Sequence, residues 1–217
     1  MNPAAVLFDA VGTLFGVRGS VGEVYARIAA EVGVSVDAAV LEGRFRAAFA
    51  RRPAPTAASR TWWRGVVAET FAGVVLPDFE DYFERVWQHF ATAEPWELYP
   101  ETRPVLDGLR ARGVALAVVS NFDERLHPVL AALDLARYFQ AVIVSVELGF
   151  AKPDPRLFAC ALDALGVSAD RALVVGDSGE DVRGAGAAGI AALRVARNGI
   201  AGPGTIPSLA ALLGDQK

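Results

Sequence analysis

The sequence predicts an α/β fold: a parallel sheet covered by helices, with a separate bundle of helices inserted after the first strand. Three observations carry this reading. Short apolar runs recur at residues 4–9, 114–119, 141–146, 172–176 and 190–195, and a strand buried on both faces of a parallel sheet reads as such a run. Helical patterns lie between most of these runs, as the crossover connections of a parallel sheet require. The long stretch between the first two runs shows no convincing strand pattern and reads as helices throughout.

Taken in order, the first run ends at Asp9 and is followed at once by Gly12-Thr13. Four helices are then expected. In the first, Val21, Val24, Tyr25, Ile28, Ala29 and Val32 form one apolar face, and Ser20-x-x-Glu23 reads as a capping box at its start. The second covers residues 36–50 and stops at Pro53-Ala54-Pro55. The third carries Trp62, Trp63, Val66, Val67 and Phe71, and the fourth repeats the pattern with Phe79, Tyr82, Phe83, Val86, Trp87 and Phe90. Four such amphipathic helices suit a small bundle. Glycine and proline at Phe15–Gly19 and Pro95–Pro100 suit the two linkers that lead into and out of it. Beyond it, helices are expected over 102–112 (Val105, Leu106 and Leu109 inward), 123–134 (Leu126, Val129, Leu130 and Leu133 inward), 155–165 and 179–188. Gly166 and Gly189 are suitable stops for the last two. The expected division is thus 1–15 with 96–217 as a Rossmann-like core, and 16–95 as the helical insert.

Composition narrows the function classes. The chain has 217 residues, 53% of them apolar, and a net charge of −4, enough for one full domain and a smaller one with a sizeable core. There is no basic stripe of the kind that binds nucleic acid and no apolar run long enough to span a membrane. The first residues lack the basic start of a secretory signal. Cys160 is the single cysteine, so no disulfide within the chain is possible, which fits a reducing compartment. The expectation is a cytoplasmic protein, monomer or homodimer, acting on a small molecule.

The chemistry is suggested by Asp9, because ligands of open parallel sheets bind outside the carboxyl ends of the strands. Further candidates lie at similar places. Ser120-Asn121 ends the second run, Lys152-Pro153-Asp154-Pro155 precedes a helix, and Gly176-Asp177-Ser178-Gly179-Glu180-Asp181 ends the fourth run. Among 21 Lys and Arg, only Lys152 and Lys217 are lysine. An ammonium is a compact point charge suited to a tight site between carboxylates and a phosphoryl oxygen, where a guanidinium is a wide fork.

Asp9-x-x-Gly12-Thr13 and these three motifs, in this order, resemble the four motifs of the haloacid dehalogenase-like hydrolase superfamily. The insert after the first strand resembles the type 1 helical cap of its subfamily IA. Asp9-Ala10-Val11-Gly12-Thr13-Leu14, Ser59-Arg60-x-Trp62-Trp63, Val119-Ser120-Asn121-Phe122-Asp123 and Lys152-Pro153-Asp154-Pro155 resemble a group within it, the haloacid dehalogenase-like hydrolase domain-containing proteins. The resemblance implies a magnesium-dependent phosphatase acting on a small phosphorylated metabolite. Asp9 would be the nucleophile that forms an aspartyl-phosphate. Asp9, the main-chain carbonyl of Val11 and Asp177 would ligate Mg2+, with Asp181 reaching the ion through water or pairing with Lys152. Ser120, with the main-chain N–H of Asn121, would bind a phosphoryl oxygen, and Lys152 would neutralise charge on Asp9 and the phosphoryl group. The cap would close over the site as a lid.

Val11 departs from the pattern, since the family's phosphatases carry there a second aspartate that protonates the leaving oxygen. Such general acid–base help is typically worth about 10²–10⁴-fold. Three readings follow: substrates with good leaving groups, a surrogate acid from the cap, or a weakly active or non-catalytic phosphate- or metal-binding protein on the same scaffold. A 2-haloacid dehalogenase using Asp9 is a further alternative, opposed by Val11, where those enzymes have tyrosine, and by the retained Gly176-Asp177. Phosphonate hydrolysis needs a cap lysine, and residues 16–95 contain none.

Other residues carry plainer expectations. Asp154 reads as a helix cap, Glu180 and Lys217 as solvated, and His89 as lying on the exposed side of its helix. His127 reads as structural or surface, and Cys160 as a buried small apolar residue. Of Trp62 and Trp63, one is expected in the bundle core and one toward the cleft or over the surface. Arg18 is a weak candidate for substrate contact.

Overall fold

The computed structural model describes residues 3–197, 199 and 202–214, so Lys217 lies outside the described residues. The main sheet contains β1 (Ala5–Phe8), β4 (Ala115–Ser120), β5 (Ala141–Val144), β6 (Ala172–Gly176), β7 (Ala191–Val195) and β8 (Thr205–Ile206). Their order is β5-β4-β1-β6-β7-β8, and every neighbouring pair is parallel. The order reverses at β1, which therefore stands at the topological switch point where such sheets bind ligands. The fold class expected from the sequence is the one observed, a Rossmann-like α/β sheet with flanking helices.

β1 shows why the strand runs are apolar throughout. All four of its side chains are buried, and they alternate between two cores. Val6 and Phe8 join one cluster with Val105, Leu106 and Leu109 of α5 (Thr102–Ala111) and Val129 of α6 (Leu126–Ala132). Ala5 and Leu7 join the other with Leu157, Phe158 and Ala161 of α8 (Pro155–Leu165) and Ala185 of α9 (Gly179–Ala187). The sheet is thus the middle of three layers.

The insert forms the expected helices α1 (Val21–Glu31), α2 (Ala38–Ala50), α3 (Ser59–Thr70) and α4 (Phe79–His89). Ser20 and Glu23 make the reciprocal capping box, Asp37 and Asp78 cap α2 and α4, and Gly166 ends α8 with a left-handed conformation. The linkers differ from expectation. They are not open hinges: β2 (Phe15–Val17) and β3 (Trp96–Leu98) pair as a small antiparallel ribbon. Phe15 packs edge-on against Trp96, with ring centroids 5.3 Å apart.

Two other boundaries move. The helix expected from 123 begins at Leu126, because the Asp123 carboxylate accepts a hydrogen bond from the Arg125 N–H and holds the chain in a turn. The third strand run ends at Val144 and gives way to the short α7 (Ser145–Leu148). The edge strand β8 was not expected. Among the described residues no helix is long and apolar enough to cross a membrane.

Candidate active site

Parallel register brings the ends of β1, β4 and β6 level, with Phe8 opposite both Val118 and Val175. The next residues on each strand therefore meet. The Asp9 N–H donates to the Val175 carbonyl at 2.9 Å, fixing the backbone from which the carboxylate projects. Ser120 Oγ donates to Asp9 Oδ1 at 3.2 Å, and Lys152 Nζ donates to the same oxygen at 2.6 Å. Asp9 Oδ2 has no such partner among the described residues. Lys152 Nζ also reaches Asp181 Oδ1 at 2.6 Å. Asp9, Ser120, Lys152 and Asp181 are all buried.

Two local devices position the outer members. Asn121 clasps the lysine loop with both ends of its amide, accepting from Lys152 N at 2.7 Å and donating to Lys152 O at 3.1 Å. Asp181 is the third residue of α9 and completes a capping box with Ser178, so the residue that pairs with Lys152 also starts a helix. Close glycines make room. A Cβ on Gly12, whose φ is +89°, would meet Asp177 Oδ2 at 2.3 Å, and one on Gly176 would meet Asp181 Cγ at 2.3 Å.

Carboxylate oxygens of Asp9, Asp177 and Asp181 lie within 4.8 Å of one another. Three carboxylates share one ammonium, and such an excess of buried negative charge is costly without further neutralisation. Burial pushes the Asp9 carboxyl up to about 6; Lys152 opposes this, while Asp181 and Asp177 add to it. Burial, then the neighbouring Asp181, also raise Asp177. Burial disfavours the Lys152 ammonium, but Asp9 and Asp181 outweigh that and raise its pKa. The donor set is one of hard oxygens, which suits a divalent cation such as magnesium. In the loop after β1, the carbonyls of Ala10, Gly12, Thr13 and Leu14 all accept hydrogen bonds. The Val11 carbonyl accepts none among the described residues.

The site opens into a cavity of about 560 Å³ between the sheet ends and the inserted helices. All of Asp9, Val11, Ser120, Asn121, Lys152 and Asp177 line it, whereas Asp181 lies behind Lys152. Trp62 and Trp63 both reach the cavity, so neither is confined to the bundle core. Trp63 Nε1 donates to Asp123 Oδ2 at 2.7 Å and Trp62 Nε1 to the Pro53 carbonyl at 2.9 Å. Arg18 is exposed and off the cavity wall. Asp154 caps α8 as expected. His89 is not on an open face: its side chain is 11% exposed, with Arg27 and Glu94 around it. Cys160 is half-buried rather than fully enclosed. His127 faces Glu147 at 2.8 Å on the surface.

Sequence reasoning missed several cavity residues. Arg125 is buried, makes a bidentate pair with Asp123 at 2.6 and 2.8 Å, and lies 3.6 Å from the centroid of the Trp87 ring. Asp123 belongs to the stretch after β4 that carries the family resemblance, which was the available signal; Arg125 offered none. Phe122, from the same stretch, also lines the cavity, as does Arg52, which had not been singled out.

Comparison with known proteins agrees with this geometry. The family model described as haloacid dehalogenase-like hydrolase matches residues 3–189. The haloacid dehalogenase-like hydrolase domain-containing protein 3 of Danio rerio is 36% identical over 183 residues, covering 79% of this chain and 76% of the relative. A phosphoserine phosphatase of Thermus thermophilus is 35% identical over 165 residues, covering 73% of this chain and 66% of the relative. The crystal structure of a HAD phosphatase from Thermococcus onnurineus superposes with a TM-score of 0.68 at 29% identity, covering 96% of this chain and 95% of the other. Dehalogenases are also among the solved structures that share the fold. With a family match spanning most of its length, and with the family's four motifs converging on one cleft, the chain belongs to the haloacid dehalogenase-like hydrolase family.

Proposed function

We propose that this hydrolase is a magnesium-dependent phosphatase of a small phosphorylated metabolite, working through a phosphoryl group on Asp9. The observation that carries this reading is the hydrogen-bonded line Asp9–Lys152–Asp181 beside Asp177, at the base of a cavity under the inserted helices. Phosphoryl transfer asks mainly for positioning and charge stabilisation, and this cluster supplies both. Ser120 and Lys152 hold one oxygen of Asp9 and leave the other free to attack phosphorus. Lys152 offers a positive charge next to the transferring group, and the buried setting strengthens it. Asn121 keeps that lysine in place through its main chain.

Asp9, Asp177 and the Val11 carbonyl would hold Mg2+, with Asp181 behind them anchoring Lys152. When bound, the ion neutralises negative charge on the phosphoryl oxygens. Residues 16–95 would act as the cap that excludes water. A relative named as a phosphoserine phosphatase and a neighbour named as a HAD phosphatase support the reaction class. The chain is expected to work in the cytoplasm as a monomer or homodimer, without nucleic acid or membrane partners.

The test is release of inorganic phosphate from p-nitrophenyl phosphate and acetyl phosphate, with and without Mg2+. Turnover should vanish in Asp9→Asn and on chelation. Turnover that survives Asp9→Asn removes the aspartyl-phosphate route, and turnover that survives chelation removes the metal requirement.

A further inference from the structure

We infer that the substrate is an aryl phosphate monoester, its aromatic group filling the cavity under the inserted helices and its phosphoryl group meeting Asp9. The inference rests on the phosphatase reading and specifies its substrate class. Two independent features lead to it.

The first is the absence of an acid. Val11 lines the cavity two residues after Asp9, and it is packed against the hydrophobic cluster, so it offers no proton there. The insert offers no replacement: among the described residues it contributes no Asp, Glu or His to the cavity wall, and its titratable members there are Tyr25 of α1 and Arg52 in the loop after α2. Burial raises the Tyr25 hydroxyl far above its usual range. Glu180, on the sheet side, is exposed and held by Asn121 Nδ2 at 3.3 Å. A leaving oxygen therefore departs as an anion, which a phenol tolerates and an ordinary alcohol does not.

The second is the wall itself. Phe49, Trp62 and Trp63 form one aromatic group, with centroids 4.8 to 5.8 Å apart, and Trp87, Trp96 and Phe122 line the same space. Trp96 stands 5.7 Å from Phe122. Aromatic faces and edges of this kind favour a flat π-system, and about 560 Å³ lies within the usual range of small-molecule sites, roughly 300–1,000 Å³. The aromatic part of the wall offers no partners to the hydroxyls of a sugar, and the polar groups of the lining, Arg52 and Arg125 among them, lie between these rings.

The chemistry balances without a protein acid. An Asp9 oxygen forms a bond to phosphorus as the bond from phosphorus to the aryl oxygen breaks. The phenolate leaves with that electron pair and takes its proton from solvent. Water then attacks phosphorus, the bond to the Asp9 oxygen breaks, and the carboxylate returns. The sum is ester plus water giving phenol plus inorganic phosphate.

The experiment measures kcat/KM with Mg2+ for phenyl phosphate, 2-naphthyl phosphate and glycerol 3-phosphate, with acetyl phosphate as reference and Asp9→Asn as control. Phenol and 2-naphthol are similar leaving groups, so their comparison reads the cavity. The naphthyl ester should be favoured by about tenfold or more, as one added apolar group in a fitted pocket allows. The glycerol ester should be slower than the phenyl ester by roughly 10²-fold or more, the value of a missing acid. In Trp62→Ala the naphthyl-to-phenyl ratio should fall toward one; should that variant fail to fold, the wild-type series decides alone. Equal turnover of naphthyl and phenyl esters, or of glycerol and phenyl esters, overturns the inference while Asp9-dependent phosphatase activity stands. Absence of Asp9-dependent turnover on every ester and on acetyl phosphate overturns the phosphatase reading and this inference with it.

Discussion

Asp9 is a buried carboxylate whose neighbours pull its proton in opposite directions. Burial raises its pKa from 3.8 to about 6 even with Lys152 at 2.6 Å, and the nearby Asp181 and Asp177 add to the rise. The sign for folding follows directly. Between about pH 4 and 6 the folded metal-free chain holds a proton on Asp9 that the unfolded chain has released. This group's contribution to stability is therefore full below the unfolded value and is lost as pH rises through about 6. A cation at this site needs the ionised form, so proton and metal compete. Mg2+ binding should accordingly be insensitive to pH well above about 6 and weaken by about tenfold per pH unit below it, one proton being exchanged for one ion. Isothermal titration calorimetry across this range checks it; an affinity flat down to pH 5 would mean that Asp9 is not a ligand. At this scale the candidate residues were legible because the chemistry sits on the chain as strand ends and short motifs. Their linkage was legible only in outline. That Asp181 pairs with Lys152 was one of two options, and the use of Asn121 as a clasp on the lysine main chain leaves no trace in residue type.

The turn between β4 and α6 joins the sheet to the inserted helices. Asp123 is 1% and Arg125 8% exposed on their side chains. The pair is completed by Trp63 Nε1 from α3 and by the Trp87 carbonyl of α4, which accepts from Arg125 at 3.3 Å. Breaking a buried pair by removing one member leaves the other charge without compensation, at a cost of about 3–5 kcal/mol. Asp123→Ala should lose about that much in urea unfolding, far more than a surface ion pair such as Arg85–Asp81, whose members are both 48% exposed. A loss under 1 kcal/mol would show the pair to be dispensable. This element also shows where pattern reading stops. Asp123-Glu124-Arg125 reads as the charged first turn of a helix, and only the fold reveals that two of these charges turn inward. The strands of the ribbon escaped for a related reason: three residues each are too few for a period, and their pairing follows from Phe15 packing on Trp96. His89 flanks the apolar stripe of its helix, three residues after Val86 and seven after Tyr82, so the spacing already allowed a half-buried place; Arg27 and Glu94, from other segments, cover it. By contrast β1, β4, β6 and the long helices carried their own burial in their spacing, whereas β5 and β7, read as buried runs, form in place but are only partly covered.

At the scale of the whole molecule the question is whether the sheet and the inserted helices behave as one unit or two. Composition and periodicity divide the chain at about residues 15 and 96, and the insert has its own apolar faces. The packing nevertheless crosses that division. Phe8 of β1, Tyr25 of α1, Val67 of α3, Tyr82 of α4 and Leu130 of α6 belong to one continuous buried cluster. Trp96 joins the parts, with Phe15, Phe90 and Phe122 around it at centroid distances of 5.3, 5.5 and 5.7 Å. Ser59 of α3 donates to Glu124 at 2.7 Å, and Ser145 Oγ donates to the Pro55 carbonyl at 3.0 Å, so polar contacts close the same boundary. An insert held this way loses much of its burial if the sheet unfolds, since the faces it shares with β2, β3 and the sheet ends become exposed. Scanning calorimetry should therefore show one transition, with calorimetric and van't Hoff enthalpies in agreement, as for a single cooperative unit. Trp96→Ala removes the ring at the centre of the joint, and a Trp→Ala change in a core costs about 3–5 kcal/mol. Its distinctive effect should be a broadened or divided transition rather than a simple shift to lower temperature. Two separate transitions in the unaltered protein would show instead that the helices fold by themselves and that the aromatic joint serves motion between the parts.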